Sequence, residues 1–265
     1  MMSKSPLLLF TCLSILIMAG CYTRKEACLD GFATNFDVSA DDPCDGCCIF
    51  PSLVLQVIKK AGDSNFVVTD TLVNSLGQKF RITDLRFYFS DFTLFQANGT
   101  QIKTLEFISN SDNSVSVHDD MKIWRWVDET ITPGSVKAYG SLDSLTFQLG
   151  LNTTLSKTTF SGLPSTHVLL SENKLKYGTI NTAIMTLRCV RYQTITDTIN
   201  ISVLNPTETI SYKIEKKVTS QKGENINYEI KVDYLSLMKD VNIYSTTGEI
   251  ESHLMQNLNS FIIVK

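Results

Sequence analysis

Period-two alternation is the feature that most constrains this chain. Leu145, Phe147, Leu149 and Leu151 alternate with Ser144, Thr146, Gln148 and Gly150. Tyr228, Ile230 and Val232 alternate with Asn227, Glu229, Lys231 and Asp233, and Ile199, Ile201 and Val203 repeat the pattern. Successive strand side chains point to opposite faces, so each run predicts a half-buried strand with one wet face. Abundant threonine, serine, asparagine and β-branched residues favour strands and turns over helices. Between Asp84 and Phe95 the apolar phase is odd at Leu85, Phe87 and Phe89, then even at Phe92 and Leu94. A phase change within one run predicts a bulge or bend near Ser90–Asp91. Residues 97–100, Ala-Asn-Gly-Thr, predict a hairpin turn. Pro133-Gly134, Gly162 and Pro164 mark long loops. Only the tail has helical spacing, at Ile250, Leu254 and Leu258 with Met255 beside them, and a short strand at 261–264 follows it. Residues 51–265 therefore read as an all-β domain, a β-sandwich with long loops and one C-terminal helix. A small disulfide-rich head precedes it.

The first 20 residues have the zones of a secretory signal. Lys4 gives a positive start, Leu7 to Met18 form an apolar stretch, and Met18-Ala19-Gly20 precede Cys21. The stretch is too short for an ordinary membrane span. Small residues just before the cysteine resemble a bacterial lipobox, with Met18 where leucine is more usual. The expectation is cleavage before Cys21, loss of Cys12 with the signal, and lipidation of the Cys21 thiol. An ordinary secretory signal with a chance cysteine, and an uncleaved anchor, are the alternatives. The lipidated protein would sit in the bacterial cell envelope, at the outer membrane, on its periplasmic or surface face. Stable attachment needs more than one acyl chain, and disulfides persist outside the cytoplasm.

Residues 21–50 read as the lipidated linker and head. Cys28, Cys44, Cys47 and Cys48 lie among aspartate, asparagine, glycine and proline, with few apolar residues to bury. Two disulfides are the expected framework. A bond between the adjacent Cys47 and Cys48 would strain the backbone. That leaves Cys28 bonded to Cys47 or to Cys48. A zinc site is the rival reading, although Cys-x-x-Cys occurs once and without a nearby histidine. Asp30, Asn35, Asp37, Asp41 and Asp42 read as Asx-turn formers, with calcium as the alternative. Cys28, Asp30, Ala33, Asn35, Asp37 and Ala40 give a pattern similar to short modules at the front of many bacterial secreted proteins and lipoproteins. The similarity implies a spacer or structural head.

Candidate site residues are few. His118, beside Asp119-Asp120, and His167, in a loop, are the metal-ligand candidates, and one imidazole with loop carboxylates is a thin ligand set. His253 falls on the tail helix and reads as solvated. Trp124 and Trp126 would share one face of an extended strand. They form either a ligand platform for a sugar or protein partner, or a flap over the core. Cys189 shares a face with Ala183, Met185 and Leu187 and reads as a buried free thiol, with a disulfide to the head as the alternative. A net charge of -3 without a basic patch argues against nucleic acid as a partner. The sequence has no Gly-x-Ser-x-Gly elbow, His-Glu-x-x-His or phosphate loop.

The segments at 77–102, 142–152, 227–241 and 247–264 are similar in kind and order to the MbnP-like family of periplasmic copper-binding proteins. The resemblance covers roughly residues 51–265 and implies an all-β sandwich. It also implies copper held by histidine and a tryptophan-derived kynurenine, with a di-haem peroxidase-like partner that oxidises the tryptophan. In the family those residues fall after the strand matching 145–152 and before the strand matching 183–190. Here 152–160 contain no histidine and 176–183 contain no tryptophan, so no copper ligand carries over residue by residue. The expectation is a lipid-anchored, non-catalytic binding or structural protein of the envelope. Copper or other metal carriage and glycan binding or processing are the alternatives.

Overall fold

The structure is a computed structural model that describes residues 22–170, 174–178, 181–193, 196–206 and 209–264. The signal segment 1–20 and Cys21 lie outside the described residues. The principal strands are β1 (Leu53–Ala61), β2 (Lys79–Gln96), β3 (Lys122–Arg125), β4 (Gly140–Leu149), β5 (Asn181–Tyr192), β6 (Thr196–Leu204), β7 (Ile210–Ile214), β8 (Val218–Ser220), β9 (Ile226–Asp233) and β10 (Ile262–Ile263).

The 18-residue strand β2 is the spine of the larger sheet. At Phe87 its two partners are Trp124 and Met185, and at Phe89 they are Lys122 and Leu149. A strand has only two edges. β5 and β4 therefore pair in tandem along one edge of β2, and β3 occupies the other edge at their junction. β6 extends the sheet beyond β5, while β7 and β8 extend it beyond β4. The predicted bulge is present: Thr146 pairs Thr93 but Gln148 pairs Ser90, so β2 has one residue too many at this point. The bulge rotates the apolar phase, which is why Phe87, Phe89, Phe92 and Leu94 are all buried.

The opposing sheet is built on β1 and β9, which run parallel from Leu53/Ile226 to Lys60/Asp233. β10 pairs β9, and Thr130–Ile131 pairs β1. The inner faces of both sheets supply one core that includes Leu55, Val57, Leu145, Phe147, Tyr228 and Ile230. The tail helix, Thr247–Phe261, begins at a capping box between Thr246 and Glu249. It buries Ile250, Leu254, Leu258 and Phe261, the face predicted from their spacing. His253 is exposed on the other side. Two short helices were not legible in the sequence, at Thr153–Lys157 and Tyr234–Leu237. Each starts at a side-chain cap, Asn152 and Asp233 respectively.

The head is joined by Cys28–Cys48 and Cys44–Cys47. Asp30 and Asp37 close Asx turns by accepting from Phe32 N and Ser39 N, whereas Asp41 accepts from Lys25 N across the head and Asp42 pairs with Arg24. Asn35 donates to Cys47 O and accepts from Ile49 N, so one side chain braces the disulfide loop. The head also lies against the sandwich. Lys137 Nζ is 2.6 Å from Asp30 and 4.4 Å above the Phe50 ring. A Cβ on Gly223, whose φ is +77°, would fall 3.1 Å from Ala33 O, so this close approach needs glycine.

Candidate functional site

The bulge in β2 organises the polar chemistry of the body. Asp91 takes a φ of 55°, which turns its amide and that of Phe92 to the same side. Both amides donate to Asp120, Phe92 N at 2.7 Å and Asp91 N at 3.1 Å. Asp91 in turn accepts from Lys103 Nζ at 2.6 Å and Gln148 Nε2 at 3.0 Å. Ser90 Oγ donates to Gly150 O. Asp120 is 2% exposed. Burial, assisted by the Asp91 charge, outweighs the two amide bonds and Lys103, and pushes its carboxyl up to about 6. A buried carboxylic acid with a perturbed pKa marks a functional candidate. Here both oxygens are spent on backbone amides, so Asp120 acts as a latch on the bulge. Sequence reading missed this cluster, although the phase change pointed at its position.

The reverse face of β2 carries a second core. Tyr88 points away from Phe87 and Phe89 and packs among Ile108, Met121, Leu155, Phe160, Leu169 and Leu175. Its hydroxyl donates to Val168 O and accepts from Leu175 N. Burial pushes that hydroxyl up to about 12. The segment between β4 and β5 is therefore anchored as packing on the outer face of the sheet. Gly150, with φ of +89°, starts it: a Cβ there would fall 2.5 Å from Asn205 Oδ1. Asn205 uses that space to accept from Leu151 N and donate to Leu151 O.

Both metal-ligand candidates lie beside this second core. His167 Nε2 is 3.0 Å from Asp119 Oδ1, and its Nδ1 accepts from Leu169 N. Both ring nitrogens are thus engaged, and the tautomer is the one with hydrogen on Nε2. His118 Nδ1 bonds Thr104 O at 2.7 Å, and its ring lies 4.2 Å from that of Phe107. Among the described residues, no group of three or more histidine, cysteine, aspartate or glutamate side chains could hold a metal ion. His118 and His167 are each hydrogen-bonded into a loop, and among the described residues neither belongs to a cluster that matches the copper-ligand set the resemblance implies.

Of the two readings of the tryptophans, their burial matches the flap over the core. Trp124 is 1% exposed and Trp126 8% exposed. Trp124 lies beside Phe87 and Phe89 and donates its indole N–H to Asp128 O. Trp126 packs against Phe66. Both belong to the main core, Trp124 from β3, where it pairs with Phe87 of β2, and Trp126 from the turn that follows β3. Cys189 is buried and free, and burial pushes its thiol up to about 12. Among the described residues, no helix is long and apolar enough to cross a membrane.

No curated protein matches this chain. A solved structure, MbnP from Methylosinus trichosporium, aligns at 13% identity over 70% of this chain and 76% of that chain, with a TM-score of 0.43. The family model for MbnP matches residues 51–256. That span takes in both sheets except β10, together with most of the tail helix, and the chain belongs to the MbnP family.

Proposed function

We propose that this protein is a lipid-anchored, non-catalytic module of the bacterial cell envelope, held at the outer membrane through Cys21. In this reading its sandwich binds or scaffolds an envelope partner or glycan and carries no copper. One observation supports it above the rest. The segment between β4 and β5, where the family resemblance places the metal ligands, is used here to build a hydrophobic core on Tyr88, and its one histidine is tied to Asp119 and Leu169 N. A di-haem oxidase has no part in this reading, because Trp124 and Trp126 both lie in the main core.

Copper analysis tests the first half. Purified protein incubated with Cu(I) or Cu(II) and desalted should retain far less than one equivalent. Near-stoichiometric copper that disappears in His118→Ala or His167→Ala would restore the carrier function. The anchor is tested by Cys21→Ser, which should abolish labelled palmitate incorporation and release the protein from membranes. Unchanged membrane retention of that variant would remove the lipoprotein reading.

A further inference from the structure

A cleft of about 580 Å³ opens where the head meets the sandwich. That volume lies within the range of small-ligand sites, about 300–1,000 Å³, and such sites favour junctions between structural units. Its walls come from three separated stretches: Phe32 of the head, the hairpin turn after β2 with Gln96, Asn98 and Thr100, and the entry to β4 with Tyr139 and Ser141. Phe32 and Tyr139 form an aromatic corner, with ring centroids 5.2 Å apart and planes at 58°. Tyr139 is 43% exposed although it is a large aromatic side chain.

The chemistry of this lining is selective. Apart from the aromatic corner, it combines amides and hydroxyls with one lysine and the apolar side chains of Ala97, Ile102 and Ala138, and no carboxylate lines it. Its lysine, Lys137, is held by Asp30 at 2.6 Å. Lys222, just outside, places its ammonium over the Tyr139 and Phe32 rings, at 5.0 and 5.6 Å. Both cations are thus committed to holding the head, and a polyanion gains little from them. The absence of lining carboxylates removes the usual general acids and bases, as well as hard-metal ligands. What remains is a flat apolar ring beside paired donor–acceptor groups. That combination matches a pyranose, whose axial C–H face is apolar and whose equatorial hydroxyls donate and accept together.

We propose that this cleft binds a short neutral saccharide, stacked on Tyr139 and read through its hydroxyls by Gln96, Asn98, Thr100 and Ser141. The assignment rests on the non-catalytic binding reading and gives that module its ligand class. It does not depend on the lipid anchor. The head then has a second role, because Phe32 completes a wall that the sandwich alone leaves open.

The test titrates the full chain, by calorimetry, with malto-, cello- and chito-oligosaccharides, and assays the mixtures for new reducing ends. At least one neutral series should bind, Tyr139→Ala should weaken it tenfold or more, and Tyr139→Phe should retain it. Lys222→Met removes the cation from the Tyr139 and Phe32 rings and leaves the neutral lining in place, so it should change binding by less than threefold. A large loss in Lys222→Met would show that the ligand depends on the cation, and would overturn the neutral saccharide. So would failure of every neutral series, binding of uronic-acid polymers alone, or binding indifferent to Tyr139→Ala. Binding accompanied by new reducing ends would leave the cleft standing while refuting the non-catalytic reading.

Discussion

Asp120 offers a stability experiment whose sign follows directly from the structure. Its carboxyl is 2% exposed, and its pKa rises from the ordinary 3.8 to about 6, chiefly through burial. The folded state therefore binds this proton more tightly than the unfolded chain does. The stability contributed by the group is fully present below pH 3.8 and is lost as pH rises through 6. At about 1.4 kcal/mol per pH unit, the charged latch costs ~3 kcal/mol at neutral pH relative to its acid form. Other carboxylates act in the opposite direction. Asp37 is held down to about 2, first by Lys25 and then by Ser39, so it loses stability on acidification. The raw pH profile of the wild type is a mixture, and a difference experiment isolates Asp120.

Asp120→Asn keeps one acceptor for the bulge and cannot titrate. It loses one amide hydrogen bond, an offset that does not vary with pH. Urea unfolding of both proteins between pH 3.5 and 7.5, followed by far-ultraviolet circular dichroism, gives the difference in free energy. The wild type should gain on the variant by ~3 kcal/mol as pH falls from 7.5 to 3.5, with most of the change between pH 6 and 4. A difference that stays flat, or that moves in the variant's favour on acidification, would refute the argument that burial dominates at this carboxylate.

Three further predictions test the core and the head. Trp124→Ala should cost about 3–5 kcal/mol, because a large buried side chain leaves a cavity. The melting temperature should fall by on the order of 10 °C for a domain of this size; a loss below about 1 kcal/mol would contradict the packing against Phe87 and Phe89. Paired serine substitutions in the head should cost unequally in denaturant unfolding. Cys28–Cys48 closes a separation of 20 residues and should be worth about 3 kcal/mol, whereas Cys44–Cys47 closes one of three and should be worth about 2 kcal/mol. Alkylation and mass spectrometry of the native protein should find Cys189 unmodified, since its thiol is buried and pushed up to about 12; rapid labelling would show that the strand opens.

What the sequence made legible was local. Alternation located β4, β6 and β9, the phase change located the bulge, and the spacing of Ile250, Leu254 and Leu258 located the tail helix, because in each case the signal and the structure span the same few residues. The parallel pairing of β1 with β9 joins residues some 170 positions apart and leaves no mark on either strand's own pattern. The second core was hidden for another reason. Its members Ile108, Met121, Leu155, Phe160 and Leu175 come from a three-residue strand, a short helix and loops, all too brief to show a period, and only the strand beneath them gives them a common side. Tyr88 is the instructive residue. It breaks the odd phase of Leu85, Phe87 and Phe89, and in a one-sided strand that would place a tyrosine in water. Its burial shows that β2 is covered on both faces at this point. The same covering occupies Leu155, Phe160, Leu169 and Leu175 of the segment between β4 and β5, which is where the family resemblance implies metal ligands. Packing of that kind is free to vary within one sandwich, since loops on a rigid scaffold change more freely than the strands that carry them.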